Sequence, residues 1–126
     1  MSHSMSFRIL ATLALAALAS PALAADPTGM WLRETGLSRI RIAPCGEALC
    51  GTIAWLKNPD TPAKVGQRVL FGMKPTGDSV WMGSAFNPED GKTYSGEMTL
   101  SGNRLTTSGC ALGGLICKTV HWTRVE

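Results

Sequence analysis

The stretch Leu37-Ser38-Arg39-Ile40-Arg41-Ile42-Ala43 alternates apolar and charged side chains residue by residue. On an extended strand Ile40 and Ile42 share one face and Arg39 and Arg41 the other, a pattern that no helix face reproduces. The same alternation returns at Thr93–Leu100, where Tyr94, Met98 and Leu100 oppose Thr93, Ser95, Glu97 and Thr99. Reading outward from these two segments, strands are expected at Thr28–Glu34, Leu37–Ala43, Gly51–Leu56, Gln67–Phe71, Ser79–Phe86, Thr93–Leu100, Arg104–Cys110 and Leu115–Val125. The links carry turn chemistry: Asp90-Gly91, Gly102-Asn103 and Gly113-Gly114 supply residues that tolerate positive φ. Lys57–Gly66, with Pro59 and Pro62, is the long loop. Eight strands joined mainly by short links describe an all-β fold, a small antiparallel up-and-down barrel whose closure removes exposed sheet edges. A barrel of that strand number has room for packed side chains or one small ligand.

The chain has 126 residues, and its first part reads as a leader rather than as part of the barrel. Arg8 precedes an almost unbroken apolar run, Ile9–Ala19, and Pro21 precedes Ala22-Leu23-Ala24, a small-x-small signal for cleavage between Ala24 and Ala25. The run is shorter than the about 20 residues that span a bilayer. Residues 25–126 then form one domain, expected in the periplasm or secreted. All 14 glycines fall after residue 24, which excludes a helical bundle. With Arg8 in the leader, the remaining basic residues barely outnumber the 9 acidic ones. That balance is too even for a nucleic-acid footprint. Charges such as Arg39, Arg41 and Glu97 on outer-face candidates argue against a membrane-spanning barrel.

Cys45, Cys50, Cys110 and Cys117 are the four cysteines, and four allow three connectivities. Each close pair flanks a turn, so the bridges Cys45–Cys50 and Cys110–Cys117 are the simplest geometrically. A crossed pairing, such as Cys45 with Cys117, requires the two turns to meet at one barrel end. The spacings lack the tight knuckles of a zinc site, and export favours disulfides.

Catalytic chemistry finds no constellation. His121 is the one histidine after residue 24 and has no evident carboxylate or nucleophile beside it in sequence. Asn87-Pro88-Glu89-Asp90-Gly91 reads as a turn and lacks the oxygen spacing of a calcium loop. No metal, cofactor or enzymatic activity is expected. The aromatics are more informative, because Trp31, Trp55, Trp81, Tyr94 and Trp122 fall on five different strands. Those that point inward either fill the barrel or line a ligand site. Trp55, Trp81 and Tyr94 are the candidate ligand-binding residues.

Gly29-Met30-Trp31 in the first strand and Arg124 in the last resemble the Gly-x-Trp and terminal-arginine pairing of lipocalins and other calycins. That resemblance implies that Arg124 lies across Trp31 and closes the barrel base. A fuller set resembles the exported bacterial family catalogued as domain of unknown function 2147. It comprises Gly29-Met30-Trp31, Cys45 with Leu49-Cys50-Gly51-Thr52-Ile53, Trp55-Leu56, Trp81-Met82-Gly83, Asn87–Tyr94, Gly109-Cys110 and Trp122-Thr123-Arg124. The chain departs from that pattern at Asn87, where aspartate is usual, and at Ser84, where a second glycine is common. The resemblance implies a lipocalin-like barrel and no known activity. The expectation is a disulfide-stapled carrier of a small hydrophobic or amphipathic molecule. The alternatives are a filled barrel that binds another protein, as an inhibitor or envelope-assembly factor does, and an enzyme using His121 with a carboxylate.

Overall fold

The computed structural model describes residues 25–126. The expected leader, residues 1–24, and the cleavage expected after Ala24 lie outside the described residues. Eight antiparallel strands follow one another around a closed barrel: β1 (Gly29–Arg33), β2 (Ser38–Cys45), β3 (Ala48–Leu56), β4 (Arg68–Gly77), β5 (Val80–Asn87), β6 (Lys92–Ser101), β7 (Arg104–Ala111) and β8 (Ile116–Arg124). A short 3-10 turn, Leu112–Gly114, links β7 to β8. Each strand pairs with its neighbour in sequence, and β8 returns to β1 through Trp31↔Arg124, Leu32↔Thr123 and Arg33↔Trp122. The chain therefore has no free sheet edge among these strands.

The alternation that defines β2 does as expected: Ile40 and Ile42 are buried, and Arg39 and Arg41 are exposed. In β6 Met98 and Leu100 are buried while Glu97 is exposed. Charges thus stand on the outer face, which suits water and would be costly against lipid. Among the described residues no helix is long and apolar enough to cross a membrane.

β4 is the strand that departs most from expectation. It runs on to Gly77 instead of ending near Phe71. Register shifts against β5 fall between Phe71 and Lys74 and between Pro75 and Gly77. These bulges let Gly72 and Pro75 stay within a strand they would otherwise end. Glycine on β5 and β6 makes room for the resulting bend. A Cβ at Gly83 would meet the carbonyl oxygens of Phe71 and Gly72, and one at Gly96 would lie 2.8 Å from the carbonyl carbon of Ser84.

In a meander the turns alternate between the two ends. The β2–β3, β4–β5 and β6–β7 turns share one end with both termini of the barrel. The other end carries the β1–β2, β3–β4, β5–β6 and β7–β8 links. Cys45–Cys50 staples the first end and Cys110–Cys117 the second, with Cα separations of 5.8 and 4.1 Å. A crossed pairing is excluded because the two turns lie at opposite ends.

The first end is closed. Trp31 is fully buried, and the Arg124 guanidinium carbon lies 4.4 Å from its ring centroid. Arg124 also donates to the carbonyls of Thr28 at 2.7 Å and Asp26 at 2.8 Å, while the Trp31 indole donates to the Pro27 carbonyl at 2.8 Å. The segment before β1 is thereby strapped across the base. Gly29 begins this closure with φ of 129°, and a Cβ there would collide with the Glu126 carbonyl oxygen. Any other residue would need both a strained backbone and a displaced C-terminal strand. Above the base, Ile42, Met73, Trp81, Met98, Leu100 and Leu105 fill the interior.

Candidate functional site

Toward the second end the inward side chains no longer fill the barrel. A cavity of about 610 Å³ opens there, within the roughly 300–1,000 Å³ of small-molecule sites. Its lining comes from the last residues of β1, β3, β5 and β7 and the first of β2, β4, β6 and β8. Ile40, Ile53, Leu70 and Trp122 form its floor, and Leu56, Val69, Ala85 and Val120 its walls. Pro62 and Ala63 of the long loop, Pro88 of the β5–β6 turn and Ile116 border the mouth. This surface is mostly apolar, with a few polar groups in defined places.

Trp122 is buried, and its indole N–H donates to the hydroxyl of Thr107 at 2.9 Å. That bond satisfies the one buried polar side chain of the core and fixes the ring. Tyr94 lines the wall, and its hydroxyl donates to the Asp90 carboxylate. This bond raises the Tyr94 phenol above its usual 10.0 and, with the Lys92 backbone N–H at 2.9 Å, lowers Asp90 below its usual 3.8. The β5–β6 turn is internally tied as well, since Asn87 Oδ1 accepts from the Glu89 N–H at 3.0 Å. Lys118 and Glu89 pair across the rim at 3.6 Å, both exposed; such a pair contributes little.

Arg33 is different. Two residues beyond Trp31 on a short strand, it faces inward and lines the cavity at the level of Trp122, its register partner. Its Nε is buried and has no hydrogen-bond partner. Among the described residues the side-chain ion pair is Lys118 with Glu89, so Arg33 has no counter-charge there.

Of the three expected ligand-binding residues, only Tyr94 lines the cavity. Trp55 lies outside the barrel, 40% exposed, with the Arg39 guanidinium 5.3 Å from its ring centroid. The register between β2 and β3 shifts between Arg39 and Ile40, so Ile53 pairs with Ile40 and Trp55 with Arg39. Ala54 is the extra residue, and it turns Trp55 from the inner to the outer face. Trp81 points inward but lies in the packed half, below the cavity floor. Trp122 and Arg33 are among the lining residues that the sequence did not single out. Both were accessible by counting in steps of two, from Arg124 back to Trp122 and from Trp31 on to Arg33.

His121 stands on the outer face, its Nδ1 3.2 Å from the Thr106 hydroxyl, and is not part of the cavity lining. Among the described residues no group of three or more His, Cys, Asp or Glu side chains is placed to hold a metal ion.

Comparison with known proteins gives no match among curated proteins and none among solved structures. A family model described as "Uncharacterized protein conserved in bacteria" matches residues 29–124, which run from the glycine of the closed base to the arginine that seals it. The chain belongs to this family, domain of unknown function 2147.

Proposed function

We propose that this protein is an exported binding protein, not an enzyme, that takes a small apolar or amphipathic molecule into the open half of its barrel. The observation that carries this reading is the cavity of about 610 Å³ with its apolar floor and walls. Burial of apolar ligand surface there supplies affinity of roughly 25 cal/mol per Å², and the fixed polar groups orient the ligand. The two disulfides support an oxidising, non-cytoplasmic setting, which agrees with the leader reading and with a periplasmic or secreted location. Exposed Leu112, Leu115 and Ile116 at the β7–β8 link favour a second reading, contact with another protein at the cavity mouth. The filled barrel expected for a pure protein-binding module holds only for the closed half.

The test is titration with N-phenyl-1-naphthylamine, a neutral apolar fluorophore. Saturable binding with one site per chain is expected, and Ala85→Phe should abolish it. Ala85 lies in the wall between Leu70 and Tyr94, so a phenyl ring there fills the cavity while leaving the packed half untouched. Binding that survives Ala85→Phe in a folded variant would place the probe elsewhere and count against the reading.

A further inference from the structure

We propose that Arg33 is an anion site inside the cavity, and that the ligand is an amphiphile with a carboxylate head that enters head first. The proposal rests on the cavity being a ligand site and goes on to name the chemistry that occupies it. A guanidinium is a permanent charge, and holding one in an apolar wall is costly unless a partner offsets it. The chain provides none within its described residues: Nε is buried without a hydrogen-bond partner. The other charged groups of the lining are already engaged. Glu89 faces Lys118 at the rim, and Asp90 accepts from Tyr94 and from the Lys92 N–H. Neither carboxylate is the partner of Arg33.

Position then sets orientation. Arg33 is one inward step above Trp31 and level with Trp122, at the inner part of the cavity. Lys118 lies on β8 two inward steps nearer the mouth. A carboxylate paired with Arg33 would lie deep, accept two parallel N–H bonds from the planar guanidinium, and send its hydrocarbon chain past Leu56, Val69 and Val120 toward Ile116 at the opening. A neutral alcohol of the same chain length would keep the apolar contacts and forfeit the ion pair. A purely apolar molecule would keep the apolar contacts and leave the guanidinium without a partner, so it still binds but more weakly than a carboxylate of the same chain length.

The experiment is calorimetric titration of residues 25–126, disulfides intact, with dodecanoate and with dodecanol at neutral pH. The expected result is at least about tenfold tighter binding of dodecanoate. In Arg33→Gln the two ligands should become equal, with the dodecanol affinity unchanged or improved. Arg33→Met provides a second readout without ligand: it should leave the melting temperature unchanged or raise it, because it removes a half-buried side chain whose Nε is buried without a hydrogen-bond partner. Equal binding of both ligands by the unmodified protein overturns the anion site and leaves the cavity reading standing. A dodecanoate preference that persists in Arg33→Gln overturns it too and assigns the head group to Lys118. A lower melting temperature in Arg33→Met overturns the claim that Arg33 is held at a cost. No binding of either ligand overturns both the anion site and the carrier function.

Discussion

Arg124 engages three groups at once: the face of Trp31 and the carbonyls of Thr28 and Asp26. Trp31→Ala removes a fully buried ring and should cost roughly 3–5 kcal/mol, and Arg124→Ala less. A double-mutant cycle in denaturant should show coupling of about 0.5–2 kcal/mol; additivity would mean that the stacked pair contributes nothing. The same corner responds to acid. Asp26 is held below its usual 3.8, chiefly by hydrogen bonding from Thr28 and further by the Arg124 charge. Because its folded value is depressed, its contribution is present above the ordinary carboxylate range and is lost as pH falls through the folded value. Asp26→Asn should therefore flatten stability between mildly and strongly acidic pH. Tyr94 is the only tyrosine of the chain, so phenolate absorbance reports it alone. Its phenol should titrate above 10.0 in the native protein, and Asp90→Asn should return it toward that value. A phenol that titrates at its usual value in the native protein would mean that the bond to Asp90 is absent in solution.

At the level of strands, the alternation of β2 and β6 was legible because neither strand carries an extra residue of its own to disturb the period. Bulges were not legible. Nothing in Ile53-Ala54-Trp55-Leu56 marks Ala54 as the extra residue, since the bulge depends on pairing with Arg39 and Ile40 from another strand. The placement of Trp55 outside the cavity follows from that single shift. In β4, Gly72 and Pro75 look like terminators locally, and only the bulged pairing with β5 keeps them in the sheet. Trp55→Ala should accordingly cost little, about 0.5–1 kcal/mol for an exposed cation–π contact, and should leave ligand binding unchanged; loss of binding would return Trp55 to the site. The hairpin staples were readable, because each bridge closes a turn between consecutive strands. Peptide mapping without reduction should recover Cys45 with Cys50 and Cys110 with Cys117, each worth roughly 2 kcal/mol in the chain-entropy model. A crossed pair would contradict the meander itself.

The whole molecule divides into a packed half and an open half, and this division explains why the sequence conveyed the fold more fully than the site. Strand count, closure and the sealing pair are local or first-to-last features. The depth at which packing stops depends on which inward residues are small. Ala85, Gly109 and Ala111 line the cavity, whereas Trp81 and Met98 fill the core beneath it, and no single stretch of sequence displays that contrast. Trp81→Ala should consequently behave as a core truncation comparable to Trp31→Ala. The most direct test of the central claim, that the open half binds an apolar or amphipathic ligand, is a nuclear magnetic resonance titration with dodecanoate. Methyl signals of Ile40, Ile53, Leu70 and Val120 and the indole N–H of Trp122 should shift together, while Met98 and Trp55 stay in place. Shifts confined to Trp55 and the outer face, or none at saturating ligand, would contradict the account.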